Sequence, residues 1–421
     1  MEIIIIGNSA AAVGAIEAVR KVDRSIPITV ISDEPHPVYS RPLISYLLAG
    51  ELRPEQILYR PKNFYEKNGI RALLGRHVAK VDFDHQAVEL ENGEKISYDR
   101  LLIATGGKPF IPKIEGLKTP GVYSFTKLED AKKISSVLKE VQRAVVIGGG
   151  LIGLKAAEAV RKRKVEVTVV ELADHILSLT LDETASIILE KALRKEGVHL
   201  MTSMTVEAIL GNGHVESVRL SNGKTLKTQL VIVAIGVTPN VELFKGTRLK
   251  IEKGIAVNDQ METNLSGVYA AGDVVETYDK VLNCYRSIPI WPNAYHQGKI
   301  AGYQMLGNDR HRDEGSFMMN SIEVAHIPMI SIGLTNPPSE DGYQVIKRFD
   351  RHSNVYRKVV LKEDRIVGAL FTGHIDRAGI VTGLLRDGIE VRGFKKELLS
   401  EQFSFISLPK FLRKERLLNL R

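Results

Sequence analysis

The sequence predicts an α/β protein with two parallel-sheet nucleotide-binding units and a smaller α+β region towards its C-terminal end. Three observations predict this fold class. Residues 143–171 follow the order strand, glycine turn, helix and strand, residues 2–34 repeat that order, and residues 318–370 contain several short strand-like runs. Strands that alternate with helices of this length are typical of βαβ units, which build Rossmann-like parallel sheets.

The unit at residues 143–171 has the stronger nucleotide-binding pattern. Its glycines follow an apolar strand in the spacing G-x-G-x-x-G, which permits a tight turn, close approach of a pyrophosphate and close helix packing. Glu171 ends the next strand 23 residues after Gly148, near the spacing of roughly 20 at which an acid binds a ribose. A carboxylate there repels a 2′-phosphate, so the sequence favours NADH over NADPH. The predicted NAD site comprises Gly148, Gly150, Leu151, Ile152, Gly153, Glu171 and Gly236.

The first unit is a weaker copy of the same pattern. Gly7 keeps the first glycine, while Ser9 and Ala12 stand at the positions of the second and third. Both replacements are small, so close approach of a dinucleotide is still allowed. Asp33 and Glu34 follow the second strand, and either acid can hold a ribose, with a weak preference for Asp33. Two such units in one chain predict two dinucleotides.

Three later segments, Ala104-Thr105-Gly106, Gly272-Asp273 and Asn293-Ala294, place small or polar residues at strand ends or at the start of a helix. These residues can contribute to the first dinucleotide site. Two alternatives stay open: Arg41 can simply cap local structure, and Asp273 can be an ordinary surface residue of a turn. The complete predicted set for this site is Gly7, Ser9, Ala10, Ala11, Ser32, Asp33, Glu34, Arg41, Pro42, Val78, Ala104, Thr105, Gly106, Gly272, Asp273, Asn293 and Ala294.

The composition excludes several kinds of chemistry. The 421 residues include one cysteine, Cys284, which excludes an internal disulfide, a Cys-x-x-Cys redox pair, a structural zinc finger and a cysteine-ligated iron–sulfur cluster within this chain. The opening residues, MEIIIIGNSA, contain no basic stretch before the apolar run, so we expect no signal peptide. No apolar run approaches the length of a membrane span, and the expected compartment is the cytoplasm.

The chain is basic, with a formal net charge of +8. This charge fits a solvated surface that suits anionic cofactors, or a docking face for an acidic protein. Nucleic-acid binding is disfavoured because aromatic residues make up only 6% and no binding module is visible. The segment Pro409–Arg421 mixes leucines with basic residues, which suits either a terminal helix packed on its own domain or a docking segment.

The chain resembles the FAD-dependent pyridine-nucleotide oxidoreductases over nearly its whole length. Four motifs carry the resemblance: Gly7–Ala12, Ala104-Thr105-Gly106, Gly148–Gly153 and Ala270-Ala271-Gly272-Asp273. The resemblance implies a glutathione-reductase-type fold, FAD in the first unit, NAD(H) in the second, and a role for Asp273 near the flavin ribityl or phosphate groups. It also implies four segments: FAD-binding residues 1–111, NAD-binding residues 112–238, FAD-binding residues 239–315 and a C-terminal α+β domain at 316–421.

The resemblance extends to the branch of rubredoxin reductases, NADH oxidases and the flavin portion of assimilatory nitrite reductase. The segments Tyr39-Ser40-Arg41-Pro42-Leu43 and Trp291-Pro292-Asn293-Ala294 carry it, and they imply that Arg41 contacts FAD. The chain departs from its disulfide-reductase relatives because residues 33–74 contain no redox cysteine, and Cys284 is expected to be buried or incidental. Lys155 stands where many relatives have Glu, so it can stabilise reduced flavin or pair with a nearby carboxylate.

The resemblance implies that the nicotinamide of NADH lies on the flavin and passes a hydride to it. Without a redox cysteine, electrons then leave through the flavin edge. The expected function is transfer of electrons from NADH to an acidic carrier protein, rubredoxin or ferredoxin. The alternatives are a flavin subunit of a larger complex with iron–sulfur partner subunits, a slow flavin-bound regulatory module, and a cysteine-independent NADH oxidase. The resemblance leaves open whether the chain forms an oligomer or joins a complex.

Overall fold

The structure is a computed structural model that describes residues 1–308, 310–338, 342–410 and 412–413. The α-helices of the described residues are α1 (Ala10–Val22), α2 (Ile44–Ala49), α3 (Phe64–Lys67), α4 (Leu128–Val137), α5 (Leu151–Lys162), α6 (Glu183–Lys195), α7 (Trp291–Gln304) and α8 (Ala378–Arg386).

The strands are interspersed with these helices, and the last five of them follow one another without an α-helix of the described residues between them. The first group is β1 (Ile3–Ile6), β2 (Ile28–Ser32), β3 (Ile70–Leu74), β4 (Val78–Asp82), β5 (Ala87–Leu90), β6 (Lys95–Ser97), β7 (Arg100–Ile103), β8 (Gly107–Pro109), β9 (Val122–Ser124), β10 (Arg143–Ile147), β11 (Glu166–Val170), β12 (Val198–Met201) and β13 (Val206–Leu210). The second group is β14 (Ser217–Leu220), β15 (Thr225–Lys227), β16 (Leu230–Val233), β17 (Val237–Pro239), β18 (Ile255–Ala256), β19 (Val268–Ala270), β20 (Val275–Asp279), β21 (Cys284–Arg286), β22 (Met319–Val324), β23 (Ile327–Gly333), β24 (Tyr343–Asp350), β25 (Val355–Lys362) and β26 (Arg365–Thr372).

The chain divides into two compact units. Unit 1 contains Met1–Lys113, Tyr123–Glu140 and Ala234–Ser316, and unit 2 contains Ile114–Val122, Val141–Val233 and the residues from Phe317 onward. The predicted segment limits at residues 111, 238 and 315 stay predictions.

Unit 1 is built on a parallel sheet with the strand order β19-β7-β1-β2-β3. All four isoleucines of the central strand β1 are buried, as expected for a strand covered on both faces. Helices α1 and α7 pack closely because glycines remove side chains where they cross. A Cβ atom at Gly298 would lie 2.0 Å from the Ala11 carbonyl oxygen, and one at Gly14 would lie 2.2 Å from the Tyr295 carbonyl oxygen. This close packing fixes the N-terminal end of α7 beside α1.

Unit 2 contains a second parallel sheet, in which β12, β11, β10 and β16 follow one another in that order. It also contains the C-terminal antiparallel sheet, whose order is β22-β23-β26-β25-β24, with α8 packed on β26. The predicted fold class, α/β with an additional α+β domain, is therefore confirmed.

Inside unit 2, polar contacts join the C-terminal sheet to the loop before α6. The Asp182 carboxylate accepts hydrogen bonds from the Tyr356 hydroxyl at 2.7 Å and from Lys358 Nζ at 2.9 Å. Asn336 Nδ2 donates to the carbonyl oxygen of Leu181 at 2.6 Å. The antiparallel sheet and the second parallel sheet are thus held together by specific side chains.

Two of the sequence expectations concern membranes and the C-terminal tail. Among the described residues, no helix is both long enough and apolar enough to cross a membrane. The basic tail, Pro409–Arg421, lies for the most part outside the described residues.

Candidate dinucleotide sites

The carboxyl edge of the unit 1 sheet brings together segments that are far apart in the sequence. Gly7 follows β1 with φ of +121°, and a Cβ atom there would lie 2.0 Å from the Ala104 carbonyl oxygen. A Cβ atom at Gly272 would lie 3.4 Å from the Cβ of Ala11 and 3.5 Å from that of Ala294. The predicted Gly7, Ala104 and Gly272 segments therefore line one cradle of exposed backbone.

The N-terminus of α1 opens into this cradle without a side-chain cap. Ser9 is the N-cap residue, but its side chain makes no capping hydrogen bond, and Ala10 and Ala11 of the first turn are buried. By contrast, Asp182 caps α6 by accepting from the Ala185 backbone N–H at 3.1 Å. The first-turn N–H groups of α1 and its positive dipole end are thus available to a phosphate.

The two candidate ribose acids differ in what their oxygens already bind. Glu34 is buried, and its oxygens accept from the Tyr39 hydroxyl and from Arg41, both at 2.6 Å. Asp33 is half-exposed and uses one oxygen, which accepts from Lys127 Nζ at 2.7 Å. Burial alone would raise the pKa of Asp33, but the Lys127 ammonium lowers it overall. Asp33 is the acid with an oxygen left for a ribose hydroxyl.

Arg41 stabilises local structure, which is one of the two roles that the sequence left open for it. Its guanidinium pairs with Glu34 and donates to the Thr126 carbonyl oxygen at 3.0 Å. Pro42 follows it at the start of a short 3₁₀ turn. Arg41 also lowers the pKa of Asp273, although burial of that carboxyl outweighs it and raises the pKa above its ordinary value. Arg41 therefore contributes positive charge to the cradle while its geometry is fixed by Glu34.

Two polar side chains at the cradle have unused hydrogen-bonding capacity. The side chain of Asp273 accepts no hydrogen bond from the described residues, and the buried Nδ2 of Asn293 donates to none of them. Asn293 Oδ1 accepts from the Ser316 hydroxyl at 2.6 Å, which fixes the amide in place. Buried polar groups of this kind need a partner, and a polar ligand would supply it.

The remaining predicted residues lie on the same sheet or beside it. Ser32 ends β2, and its hydroxyl accepts from the Glu34 backbone N–H at 3.2 Å. The Thr105 hydroxyl donates to the Asn240 carbonyl oxygen at 2.8 Å, and Gly106 has φ of +68°. The Val78 side chain is buried in the core of unit 1, so this residue would reach a ligand through its backbone only.

The predicted NAD residues lie at the carboxyl edge of the unit 2 sheet, except for Gly236. Gly148 has φ of +108°, and its N–H donates to the Val170 carbonyl oxygen at 2.8 Å. Gly150 is the N-cap of α5, and a Cβ atom there would have no heavy atom within 4 Å, whereas Gly153 is buried on the helix. Leu151 and Ile152 form its half-buried first turn. Gly236 has φ of +117° and belongs to unit 1.

The Glu171 side chain folds back onto the glycine turn. One of its oxygens accepts from the Gly149 backbone N–H, and the other accepts from the Ala173 N–H at 2.8 Å. A Cβ atom at Gly149 would lie 3.1 Å from the Glu171 side chain, so any larger residue at the middle position of the run would push against this side chain. The sequence analysis missed Gly149, although three consecutive glycines are a visible signal. Glu171 thus links the strand end to the turn that would hold a pyrophosphate.

Lys155 pairs with a nearby carboxylate, one of the two alternatives that the sequence left open. Its ammonium lies 2.9 Å from the Glu158 carboxylate and donates to the Glu323 carbonyl oxygen at 3.1 Å. The other oxygen of Glu158 accepts from the Ala325 N–H at 2.7 Å. Lys155 and Glu158 thereby attach α5 to the β22–β23 turn. A catalytic role for Lys155 stays a prediction.

Cys284 lies in β21 and is exposed. The sequence predicts a buried or incidental thiol, and the structure excludes the buried alternative, because β21 lies at the edge of a small sheet beside β20. That the thiol is incidental stays a prediction.

The unit 1 cradle fits FAD on three grounds: exposed backbone at its glycines, an uncapped helix N-terminus for the diphosphate, and free hydrogen-bonding capacity at Asp273 and Asn293.

Comparison with known families gives two matches. The family described as pyridine nucleotide-disulphide oxidoreductase matches residues 1–298, and the rubredoxin NAD+ reductase C-terminal domain matches residues 319–389.

Three curated relatives illustrate the similarity. The nitrite reductase [NAD(P)H] of Bacillus subtilis is 33% identical over 88% of this chain and 45% of its own length. The assimilatory nitrate reductase electron transfer subunit of the same organism is 30% identical over 97% of this chain and 52% of its own. The chain thus spans about half the length of these two relatives. The NADH-dependent phenylglyoxylate dehydrogenase subunit epsilon of Aromatoleum evansii is 32% identical over 87% of both chains.

Three solved structures have the same fold. An NAD-dependent persulfide reductase from A. fulgidus has a TM-score of 0.87, with 27% identity over 93% of this chain and 78% of its own. A putidaredoxin reductase in covalent complex with putidaredoxin has a TM-score of 0.84, with 26% identity over 92% and 94%. The NADH:rubredoxin oxidoreductase of Clostridium acetobutylicum has a TM-score of 0.77, with 26% identity over 94% and 97%. From its motifs, its two parallel sheets and these matches, the chain belongs to the pyridine nucleotide-disulphide oxidoreductase family.

Proposed function

We propose that this protein is an FAD-dependent oxidoreductase that transfers electrons from NADH to a one-electron carrier protein of the rubredoxin or ferredoxin type. In this reaction one NADH becomes NAD+ and a proton, and two carrier molecules each gain one electron. Bound FAD supplies the chemistry, because it accepts two electrons together and can release them singly. We place the reaction in the cytoplasm, where NADH is available as reductant.

The observation that carries the proposal is that the sequence contains a single cysteine, Cys284. A protein disulfide therefore cannot relay electrons within this chain. The match of residues 319–389 to the rubredoxin NAD+ reductase C-terminal domain supports a carrier of the rubredoxin type. The solved NADH:rubredoxin oxidoreductase supports it as well, since the similarity covers 94% of this chain and 97% of that one.

The residues of the two sites have binding and positioning roles in this proposal. The free N–H groups at the starts of α1 and α5 bind the two diphosphates. Asp33 accepts from a ribose hydroxyl, and the Asp273 carboxylate accepts from a hydroxyl of the flavin side chain. Glu171 accepts from a ribose hydroxyl of NADH with the lone pairs that remain beside its bonds to two backbone N–H groups. Arg41 and Asn293 add a positive charge and an N–H donor at the FAD cradle.

A second candidate function is that of an FAD- and NAD-binding subunit in a larger iron–sulfur oxidoreductase complex. The similarity to subunit epsilon of the phenylglyoxylate dehydrogenase favours it, because 87% of each chain is covered at 32% identity. In that case the electrons pass to or from the iron–sulfur clusters of partner subunits.

An anaerobic titration of the FAD-loaded protein tests the proposal. We expect one equivalent of NADH to bleach the visible flavin bands rapidly, NADPH to do so poorly, and oxidised rubredoxin or ferredoxin to restore them. Bleaching that free carriers fail to reverse would favour the complex subunit, which co-purification of partner chains would then test. Failure of the apoprotein to acquire flavin bands with added FAD would contradict both candidates.

A further inference from the structure

Two arginines face each other in the C-terminal sheet, and neither forms an ion pair with a carboxylate of the described residues. Arg348 on the edge strand β24 lies directly opposite Arg357 on β25. Like charges in directly opposed positions of an antiparallel pair repel each other. Charged residues on an edge strand can serve to prevent aggregation, which would account for Arg348. This explanation does not apply to Arg357, because it lies on the inner strand and is only 4% exposed.

Arg357 uses little of its hydrogen-bonding capacity. Its Nη1 donates to the Leu399 carbonyl oxygen at 3.3 Å, and its buried Nε has no hydrogen-bond partner among the described residues. No carboxylate of the described residues lies within ion-pair distance of its guanidinium. Burial lowers the pKa of Arg357, since a desolvated cation is disfavoured. The charge of Glu401 opposes this effect, and that of Arg348 adds to it. A buried charge without a hydrogen-bonded counter-ion is costly, so an anion that accepts from this guanidinium would stabilise the site.

The neighbouring lysine pair shows how the same sheet satisfies a buried cation. Lys347 and Lys358 are directly opposed at the adjacent register position and point to the other face. Lys358 is also buried, but its ammonium lies 2.9 Å from the Asp182 carboxylate. On the face of Arg357, Asp350 and Glu401 line a neighbouring depression, but no carboxylate of the described residues comes within ion-pair distance of its guanidinium.

The depression that adjoins the arginine pair is shallow and partly open to solvent. It is lined by Arg348, Asp350, Val355, Arg357, Leu399 and Glu401. The Asp350 oxygens are engaged within their own turn, where they accept from the His352 N–H at 2.9 Å and the Ser353 hydroxyl at 2.7 Å. Glu401 is exposed at the mouth of the depression.

We propose that Arg348 and Arg357 form a binding site for a tetrahedral oxyanion of the phosphate class, either free or as the end group of a small phosphomonoester. The guanidinium groups match the oxygens of such an anion in geometry and charge, and the unpaired Nε of Arg357 gains an acceptor. The site lies in the C-terminal sheet and is independent of the proposed electron transfer.

Calorimetric titration with inorganic phosphate tests the site in the full-length, FAD-loaded protein. NAD+ is kept at saturation to occupy the α5 N-terminus, and sodium chloride keeps the ionic strength constant. We expect phosphate to bind the unmodified protein, and Arg348→Gln to weaken binding about tenfold or more through loss of charge-assisted hydrogen bonds. Arg348 is exposed, so this variant avoids a folding defect that Arg357→Gln could introduce. Methyl phosphate in place of phosphate distinguishes an ester end group, which it would mimic, from a free ion only.

Two further variants act as controls. Lys347→Gln removes the same charge from the other face of β24 and should leave phosphate binding unchanged. Glu401→Gln removes the negative charge at the mouth of the depression and should strengthen binding several-fold. Absence of phosphate binding in the unmodified protein would overturn the proposal, as would equal affinity in Arg348→Gln. Destabilisation by Glu401→Gln without stronger phosphate binding would instead identify Glu401 as the counter-ion and would also overturn it.

Discussion

Glu171 and Ser32 occupy equivalent positions in the two nucleotide-binding units. Gly148 N–H donates to the carbonyl oxygen of Val170, and Gly7 N–H donates to that of Ile31, both at 2.8 Å. The residue that follows this carbonyl is Glu171 in one unit and Ser32 in the other. The acids of the first unit therefore come one and two positions later, and residue spacing alone could not separate Asp33 from Glu34. The hydrogen bonds that occupy Glu34 provide the distinction.

Replacement of Glu171 by arginine should change the nucleotide preference. The variant Glu171→Arg loses the carboxylate that we assign to the ribose hydroxyls and gains a cation suited to a 2′-phosphate. We expect the ratio of kcat/KM for NADPH to that for NADH to rise at least about tenfold, which corresponds to roughly 1.4 kcal/mol. Steady-state rates with a small artificial electron acceptor measure this ratio without a carrier protein.

Glu166→Arg is a matched control for this prediction. Glu166 lies at the opposite end of the same strand β11, where it is exposed and 3.4 Å from Arg143. It carries the same charge change as Glu171→Arg, so its NADPH to NADH ratio should stay at the unmodified value. An unchanged ratio in Glu171→Arg would remove this residue from the ribose role.

At the scale of secondary-structure elements, Asp182 combines two structural tasks. One of its oxygens caps the N-terminus of α6, and the other accepts from Tyr356 and Lys358 of β25. The pKa of Asp182 would be raised by burial, but the hydrogen bonds from Tyr356 and Lys358 outweigh this effect and lower it. The helix and the C-terminal sheet thus depend on one ionised carboxylate.

Loss of the Asp182 carboxylate should destabilise unit 2. Asp182→Ala removes the helix cap and leaves the buried Lys358 without its counter-ion, at an expected cost of about 3 kcal/mol in the free energy of unfolding. Urea unfolding followed by circular dichroism measures this loss. Asp174→Ala provides the control, because the Asp174 side chain is 82% exposed and should contribute less than about 1 kcal/mol.

The cost of Asp182→Ala should depend on pH. Because the folded-state pKa lies below the ordinary value, the carboxylate contributes its full stability above roughly pH 4 and loses it as the pH falls through the folded-state pKa. The difference in unfolding free energy between the two proteins should therefore shrink in acid. A difference of the same size at neutral and strongly acidic pH would show that ionisation of Asp182 is not its source.

Sequence patterns predicted the elements whose information is local. The core strands β1, β2, β10 and β11 are short apolar runs, and the glycine turns that follow β1 and β10 have a recognisable spacing. The β20–β21 hairpin was not predicted because its strands carry exposed residues such as Tyr285 and lack apolar alternation. The Arg41–Thr126 and Asp182–Lys358 contacts join residues 85 and 176 positions apart, and no local pattern encodes such pairs.

At the scale of the whole molecule, charge is the property that bears on an electron-carrier partner. The chain has 58 basic and 50 acidic residues, a formal excess of +8. A net positive charge attracts an acidic carrier over distances comparable to the Debye length, which is about 10 Å at 0.1 M salt. The rate of encounter with such a carrier should therefore depend on ionic strength, whereas encounter with an uncharged acceptor should not.

Comparison of two acceptors over a range of salt concentrations tests this expectation. We expect kcat/KM for an acidic rubredoxin to fall about tenfold between low salt and about 0.2 M salt, because screening removes the attraction that increases the association rate. The value for the uncharged acceptor menadione should change little, which controls for effects of salt on NADH binding and on protein stability. Equal salt dependence for both acceptors would mean that salt acts on a step they share, and the excess positive charge would then have no role in binding the carrier.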